Sequence, residues 1–308
     1  MSLLRPRALR PGDLLGVCAP SGPPDPERLR RGVEALEALG FRVRASNDLL
    51  SRTRFTAGTP ERRARELQAL LADDAVAGVV CARGGAGAGS LLSLLDEGLF
   101  RAHPKVFLGY SDATFLHLYL DQLGIVSFHG PMLARDFPDG DYDLPSLRQA
   151  VMGEGGLYAS EEGDLMPLRD GAAEGRLRGG CLTILAACAG TPWALRPDPE
   201  GTILFLEDVD EAPYRVDRML LQLRASGALE GVKGIVFGDM KGCVTRLDAD
   251  YSLEEVIQDA LAGLEIPIAV GLSSGHTSSP NLTLPLGVRA RLACADGVRF
   301  EVLEPSVT

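Results

Sequence analysis

The sequence predicts an α/β protein: a Rossmann-like parallel-sheet N-terminal domain followed by a smaller β-rich C-terminal domain. Short apolar runs alternate with amphipathic segments through the first half. Two glycine-rich turns each follow such a run. The chain, at 308 residues, is long enough for about two domains.

Leu14 to Ala19 reads as a buried strand, and Pro26 to Leu39 carries Leu29, Val33, Leu36 and Leu39 at helical spacing until Gly40 stops it. Phe41 to Ala45 is a second strand. Pro60 to Leu71 is a helix with proline at its start. Val76 to Cys81 and Lys105 to Gly109 read as strands, Ser90 to Leu95 and Asp112 to Leu123 as helices. This βαβα order implies a parallel sheet with helices on both faces, whose ligands sit beyond the carboxyl ends of the strands. The glycine-rich turns, Arg83 to Gly89 and Gly109 to Asp112, fall at such ends. The expected division is residues 1–136 as N-terminal domain, 137–175 as a linker punctuated by Pro and Gly, and 176–308 as C-terminal domain. In the last, Thr202 to Leu206, Gly234 to Phe237, Ile268 to Val270 and Ala290 to Ala293 are strands, and Arg215 to Ser226 and Leu253 to Leu261 are helices.

The composition is ordinary for a globular protein, with 45% hydrophobic and 24% charged residues. A formal net charge of −11 argues against a nucleic-acid partner and against docking on an anionic membrane. No stretch approaches the about 20 apolar residues of a membrane span. The N-terminus lacks the layout of a signal peptide, and the six cysteines are scattered, with no Cys-x-x-Cys pair. The expectation is a cytoplasmic protein with reduced cysteines.

Four segments could carry chemistry. In KVFLGYSDATFLHL, Ser111 sits in a tight turn between a strand and a helix. A nucleophile there has an exposed hydroxyl, and the helix N-terminus supplies amides for a developing oxyanion. Taken alone, a serine of this kind is more often a helix cap. In VVCARGGAGAGSLLSLLD, the glycine spacing fits neither a dinucleotide fingerprint nor a Walker A loop. It leaves a flexible turn or an oxyanion loop, with the amide of Gly85 or its neighbour facing Ser111. In TILFLEDVDEAPYRV, Glu207 abuts an apolar strand, where an acid can be half-buried and orient an imidazole; Asp210 and Glu211 fit an ordinary acidic turn. Of the four histidines, His117 lies on a helix, His103 precedes a proline, and His129 ends an apolar run and could line a cleft. His276 lies in a Gly/Ser/Thr-rich loop after a strand, where packing seldom calls for imidazole. No two histidines have metal-ligand spacing, so neither a metal nor any other cofactor is expected.

APSGP, ARGGAGAGSLLSLLD, LGYSD, HGPM, RGGCLTILAACAGTPW, ILFLEDVDEAPYRVDRML and GHTSSPNLTLPLG follow one another across nearly the whole chain. Together they resemble the LD-carboxypeptidase family of serine peptidases, which includes microcin immunity peptidases. The resemblance implies a Ser–Glu–His triad of Ser111, Glu207 and His276, with the amides of Gly85 and Asp112 as oxyanion hole. It implies a metal-free cut between an L and a D residue, and a homodimer. The substrate it implies is a murein tetrapeptide that loses its terminal D-alanine during peptidoglycan recycling. Arg83 is the candidate for the substrate's terminal carboxylate, a forked guanidinium contact, although a structural ion pair would also account for it. Ala86 stands where the family commonly has an aromatic residue, and Cys181 where it commonly has Asn. Those departures keep open a related hydrolase acting on peptide-nucleotides or other acylated small molecules. A non-catalytic small-molecule binding protein is the further alternative.

Overall fold

The computed structural model describes residues 3–160, 165–245, 250–295 and 297–308. The chain separates into two compact units: Met1–Gly156 with Ser279–Gly287 and Pro305–Thr308, and Leu157–Ser278 with Val288–Glu304.

In the first unit the chain runs β1 (Leu14–Cys18), α1 (Pro26–Ala38), β2 (Arg42–Arg44), α2 (Pro60–Ala72), β3 (Val76–Cys81), α3 (Glu97–Ala102), β4 (Val106–Gly109), α4 (Thr114–Gln122), β5 (Ser127–His129) and α5 (Leu144–Met152). Helix starts follow local chemistry. The Asp25 carboxylate accepts the amides of Glu27 and Arg28 ahead of Pro26, and Thr59 does the same for Arg62 ahead of Pro60. Strands β2, β1, β3, β4 and β5 lie side by side in that order, all parallel. The order is that of a doubly wound sheet, which reverses direction between β1 and β3 and opens its ligand crevice there. Every residue of β1 and β4 is buried, as expected where helices cover both faces.

The second unit holds β6 (Met166–Arg169), β7 (Ala172–Cys181), α6 (Leu182–Cys188), β8 (Thr202–Glu207), α7 (Pro213–Ala225), β9 (Val232–Gly238), α8 (Leu253–Ala260) and β10 (Ile268–Leu272). The chain then returns to the first unit as β11 (Leu284–Leu286), antiparallel to β5, before β12 (Arg289–Cys294) and β13 (Val298–Val302) complete the second sheet. That sheet runs β13-β12-β7-β8-β9-β10-β6, with a parallel centre from β7 to β10 and antiparallel edges.

Two sequence expectations differ from what is found, and one strand was not foreseen. The stretch 137–175 is not a bare linker, because α5, β6 and the start of β7 lie in it. Pro145 opens α5 and Gly153, at φ +70°, closes it, so residues that resemble linker punctuation are helix caps. The helix expected over Ser90 to Leu95 is a 3₁₀ turn over Ala88–Leu94. Strand β7 was hidden by its glycines. A side chain at Gly179 would meet the Phe205 carbonyl oxygen at 1.9 Å, so the close approach of β7 to β8 requires glycine there.

Candidate active site

Strand β4 ends at Gly109, and Ser111 follows at φ +63° before α4 begins. A left-handed serine at a strand-to-helix turn is strained, and such strain gathers at functional positions. Its neighbours are made narrow to admit it. A side chain at Gly109 would lie 2.8 Å from Cys81 Sγ, and one at Gly84 would lie 2.9 Å from Ser111 Oγ. The loop after β3 therefore passes against the Ser111 hydroxyl, and Gly85, the next residue, is exposed at φ +113°. Asp112 is buried, and its amide begins the turn that carries the chain into α4.

The turn is held from behind. His117, on α4, is buried between Ser127 Oγ and the Gly109 carbonyl, each 2.8 Å from a ring nitrogen. Burial drives its pKa down to about 3, so it is neutral and structural. Tyr110, the residue before Ser111, is buried and donates its hydroxyl to Asp136 at 3.2 Å. Arg83 is exposed beside Gly22 and Gly85, and among the described residues it makes no ion pair. His129, read as a possible cleft residue, is fully buried at the end of β5 instead.

The second unit brings Glu207 and His276 together. Glu207 is the last residue of β8 and wholly inaccessible to water. His276 lies four residues beyond β10, and its Nδ1 is 2.7 Å from Glu207 Oε2. The His276 amide donates to the same oxygen at 3.0 Å. A carboxylate so placed fixes the proton on Nδ1, which makes Nε2 the ring nitrogen that carries the acceptor lone pair. Strand β9 separates β8 from β10, and it ends in a glycine that makes the bridge possible. A side chain at Gly238 would lie 2.9 Å from Glu207 Cβ and 2.8 Å from the Ser274 carbonyl. Gly275, at φ +92°, is required too, since a Cβ there would lie 2.5 Å from Glu207 Oε2.

Neighbouring acids are otherwise engaged. Asp208 accepts from the Thr183 amide at 2.8 Å and hydroxyl at 2.7 Å, tying β8 to the first turn of α6. Cys181, paired in register with Glu207, is buried, and desolvation with the two nearby acids raises its pKa well above the usual thiol range. After His276, Asp239 accepts from the Thr277 hydroxyl at 2.6 Å and the Ser278 amide at 2.9 Å, anchoring the far side of the loop. Sequence reasoning missed Gly84, Gly238, Gly275 and Asp239. Only the first and third had a local signal, as neighbours of named site residues. Among the described residues, no group of three or more His, Cys, Asp or Glu is placed to hold a metal ion, and no helix is long and apolar enough to cross a membrane.

Comparison with known proteins accounts for this architecture. Residues 15–130 match the LD-carboxypeptidase N-terminal domain and residues 174–292 the LD-carboxypeptidase C-terminal domain. The chain belongs to the LD-carboxypeptidase family. It is 38% identical to the probable murein peptide carboxypeptidase of Bacillus subtilis, covering 99% of this chain and 95% of that protein. It is 32% identical to the murein tetrapeptide carboxypeptidase of Pseudomonas aeruginosa, with 90% and 92% covered. Among solved structures, the muramoyltetrapeptide carboxypeptidase of Oxalobacter formigenes superposes with a TM-score of 0.83 at 33% identity, over 96% of this chain and all of that one. The microcin C7 self-immunity protein MccF in complex with aspartyl sulfamoyl adenosine superposes at 0.88 and 25% identity, over 99% and 100%. The LD-carboxypeptidase relatives make this chain a peptidase by descent.

Proposed function

We propose that the protein is a serine-type LD-carboxypeptidase that releases terminal D-alanine from murein tetrapeptides in cytoplasmic peptidoglycan recycling, and that it works as a homodimer. The observation that carries the reading is the buried Glu207 carboxylate held 2.7 Å from His276 Nδ1. Outside proton-transfer chemistry, sealing a carboxylate from water against one imidazole has little structural return.

In this mechanism His276 Nε2 takes the hydroxyl proton as Ser111 Oγ attacks the scissile carbonyl carbon. Glu207 holds the tautomer and stabilises the imidazolium. The amides of Gly85 and Asp112 receive the charge that develops on the carbonyl oxygen, an effect of about 3 kcal/mol per donor. His276 then gives its proton to the departing D-alanine nitrogen, leaving an acyl-enzyme. A water attacks the ester carbonyl through the same base, and Ser111 recovers its proton. Arg83, exposed beside the glycine-rich loop, binds the substrate's terminal carboxylate in a forked contact.

Incubation with a murein tetrapeptide ending in D-alanine, without added metal, should release D-alanine detectable by mass spectrometry, and Ser111→Ala should abolish the release. Release that survives Ser111→Ala would sink the triad. Sedimentation tests the homodimer. A second reading, hydrolysis of a peptide-nucleotide, is favoured by the 30% identity to the MccF self-immunity protein of Escherichia coli over 90% of each chain. Cleavage of an aminoacyl sulfamoyl adenosine in place of the tetrapeptide would establish it.

A further inference from the structure

The proposed mechanism uses the Asp112 amide and leaves its carboxylate without a task. That carboxylate is 3% exposed, and a charge so buried persists only where it is hydrogen-bonded. Its Oδ2 accepts from the Ser21 hydroxyl at 2.6 Å and from the Ala88 amide at 2.8 Å. Ser21 lies in the loop after β1, Ala88 closes the glycine-rich loop after β3, and Asp112 lies in the turn after β4. One oxygen atom therefore ties together the loops leaving three adjacent parallel strands at their carboxyl edge.

Other contacts tighten the same knot. The Gly22 amide donates to the Gly84 carbonyl at 3.1 Å, so the residue after Ser21 grips the residue before Gly85. Arg63, on α2 and 2% exposed, donates to the carbonyls of Pro20 and Gly87, the latter at 2.9 Å, and to Ser90 Oγ at 3.1 Å. Left alone, a loop with Gly85 at φ +113° and Gly87 at φ +119° would sample many conformations. Held at Ala88 by Asp112, and at Gly84 through Ser21 and Gly22, it has little freedom between.

We infer that the Asp112 carboxylate is a positioning residue that fixes the spacing between the two halves of the oxyanion hole, its own amide and that of Gly85. The inference rests on the serine-peptidase reading. One residue donates to the oxyanion through its backbone and, through its side chain, holds the loop that bears the other donor. Ser21 serves the same end at one remove.

The test measures kcat and KM for D-alanine release, and independently the rate at which a fluorophosphonate labels Ser111, in wild type, Asp112→Asn, Ser21→Ala and Ser21→Thr. Misplaced oxyanion donors weaken the transition state and spare ground-state binding. Asp112→Asn should lower kcat about 10- to 100-fold with KM within about two-fold. Ser21→Ala should give a smaller loss of the same kind, and Ser21→Thr, which keeps the hydroxyl, should restore it. The labelling rate should fall in parallel. Variants that fold and keep the wild-type kcat and labelling rate overturn the inference. So does a loss that tracks a fall in Tm and is not restored by Ser21→Thr, which would mark the knot as structural only. Should Asp112→Asn fail to fold, the Ser21 pair decides alone. Wild-type protein that resists the fluorophosphonate overturns the serine-peptidase reading itself. Wild type that is labelled but leaves the tetrapeptide intact overturns only the substrate, and the labelling rates still decide.

Discussion

The two units present their chemical groups by different means. Around Ser111 the first unit works with backbone: a strained φ, a narrow glycine on each side, and amides at the carboxyl edges of three parallel strands. Around His276 the second unit works with a side-chain pair, a carboxylate sealed from water against one imidazole, with β9 crossed by means of a glycine. A backbone-built site tolerates small steric change, because a hydroxyl can rotate. A sealed carboxylate–imidazole pair depends on the identity of each atom. Substitutions of matched size should therefore cost more in the second unit.

The sharpest way to break the contrast is Glu207→Gln. The amide fits the same space, but its NH₂ turned toward Nδ1 would force the proton onto Nε2, where a base is needed. The expected loss in kcat is about 10⁴-fold, the scale seen when a triad acid becomes its amide, with little change in Tm. A kcat within ten-fold of wild type would show that the pair does not set the tautomer. Gly275→Ala comes next. It brings a Cβ to 2.5 Å from Glu207 Oε2 at φ +92°, and a displacement of that size should cost about 10²-fold in kcat, and about 1–3 kcal/mol in stability from the strained backbone. Gly84→Ala is its counterpart in the first unit. The added methyl meets Ser111 Oγ at 2.9 Å without a left-handed φ, and about ten-fold in kcat is expected. Equal losses in the two glycine variants, measured side by side, would erase the distinction between the units.

The same difference governs what could be read from sequence. The Ser111 turn and the loop before it are local: strand, glycines and helix follow within a few residues, so the doubly wound unit and the edge that carries Ser111 were legible from pattern. Glu207 and His276 are 69 residues apart and meet only because β8, β9 and β10 are neighbours, which no spacing rule states. Only resemblance to the LD-carboxypeptidases named them as partners. Elsewhere, glycine and proline misled. Pro145 and Gly153 bracket a helix, and the glycines of β7 allow two strands to close up. The return of Ser279–Gly287 to the first unit as β11 was equally hidden, since chain order suggested a single crossing.

A further expected effect concerns stability and leaves kcat aside, and it arises in the first unit, where the Ser111 turn is propped by two buried ionisable groups of opposite sense. Asp136, which accepts from Tyr110 and from the Met132 amide at 2.8 Å, is raised by burial to about 6. Its carboxyl is easier to bury protonated, so its contribution is complete below about pH 4 and is lost as the pH rises through 6. His117 is depressed to about 3, again chiefly by burial. Its contribution is complete above about pH 6.5 and is lost as the pH falls toward 3. Between pH 6.5 and 4 the two oppose each other. Asp136→Asn removes the term that grows on acidification and leaves the histidine unopposed. The variant's stability should therefore fall more steeply than that of wild type over this window, by an amount on the order of 2–3 kcal/mol across it, and its Tm should fall with it. His117→Asn should do the reverse and flatten or invert the profile. Thermal melts at half-unit intervals of pH decide the matter. Profiles parallel to wild type in both variants would mean that neither group titrates in the folded turn, and that the Ser111 turn is held by shape alone.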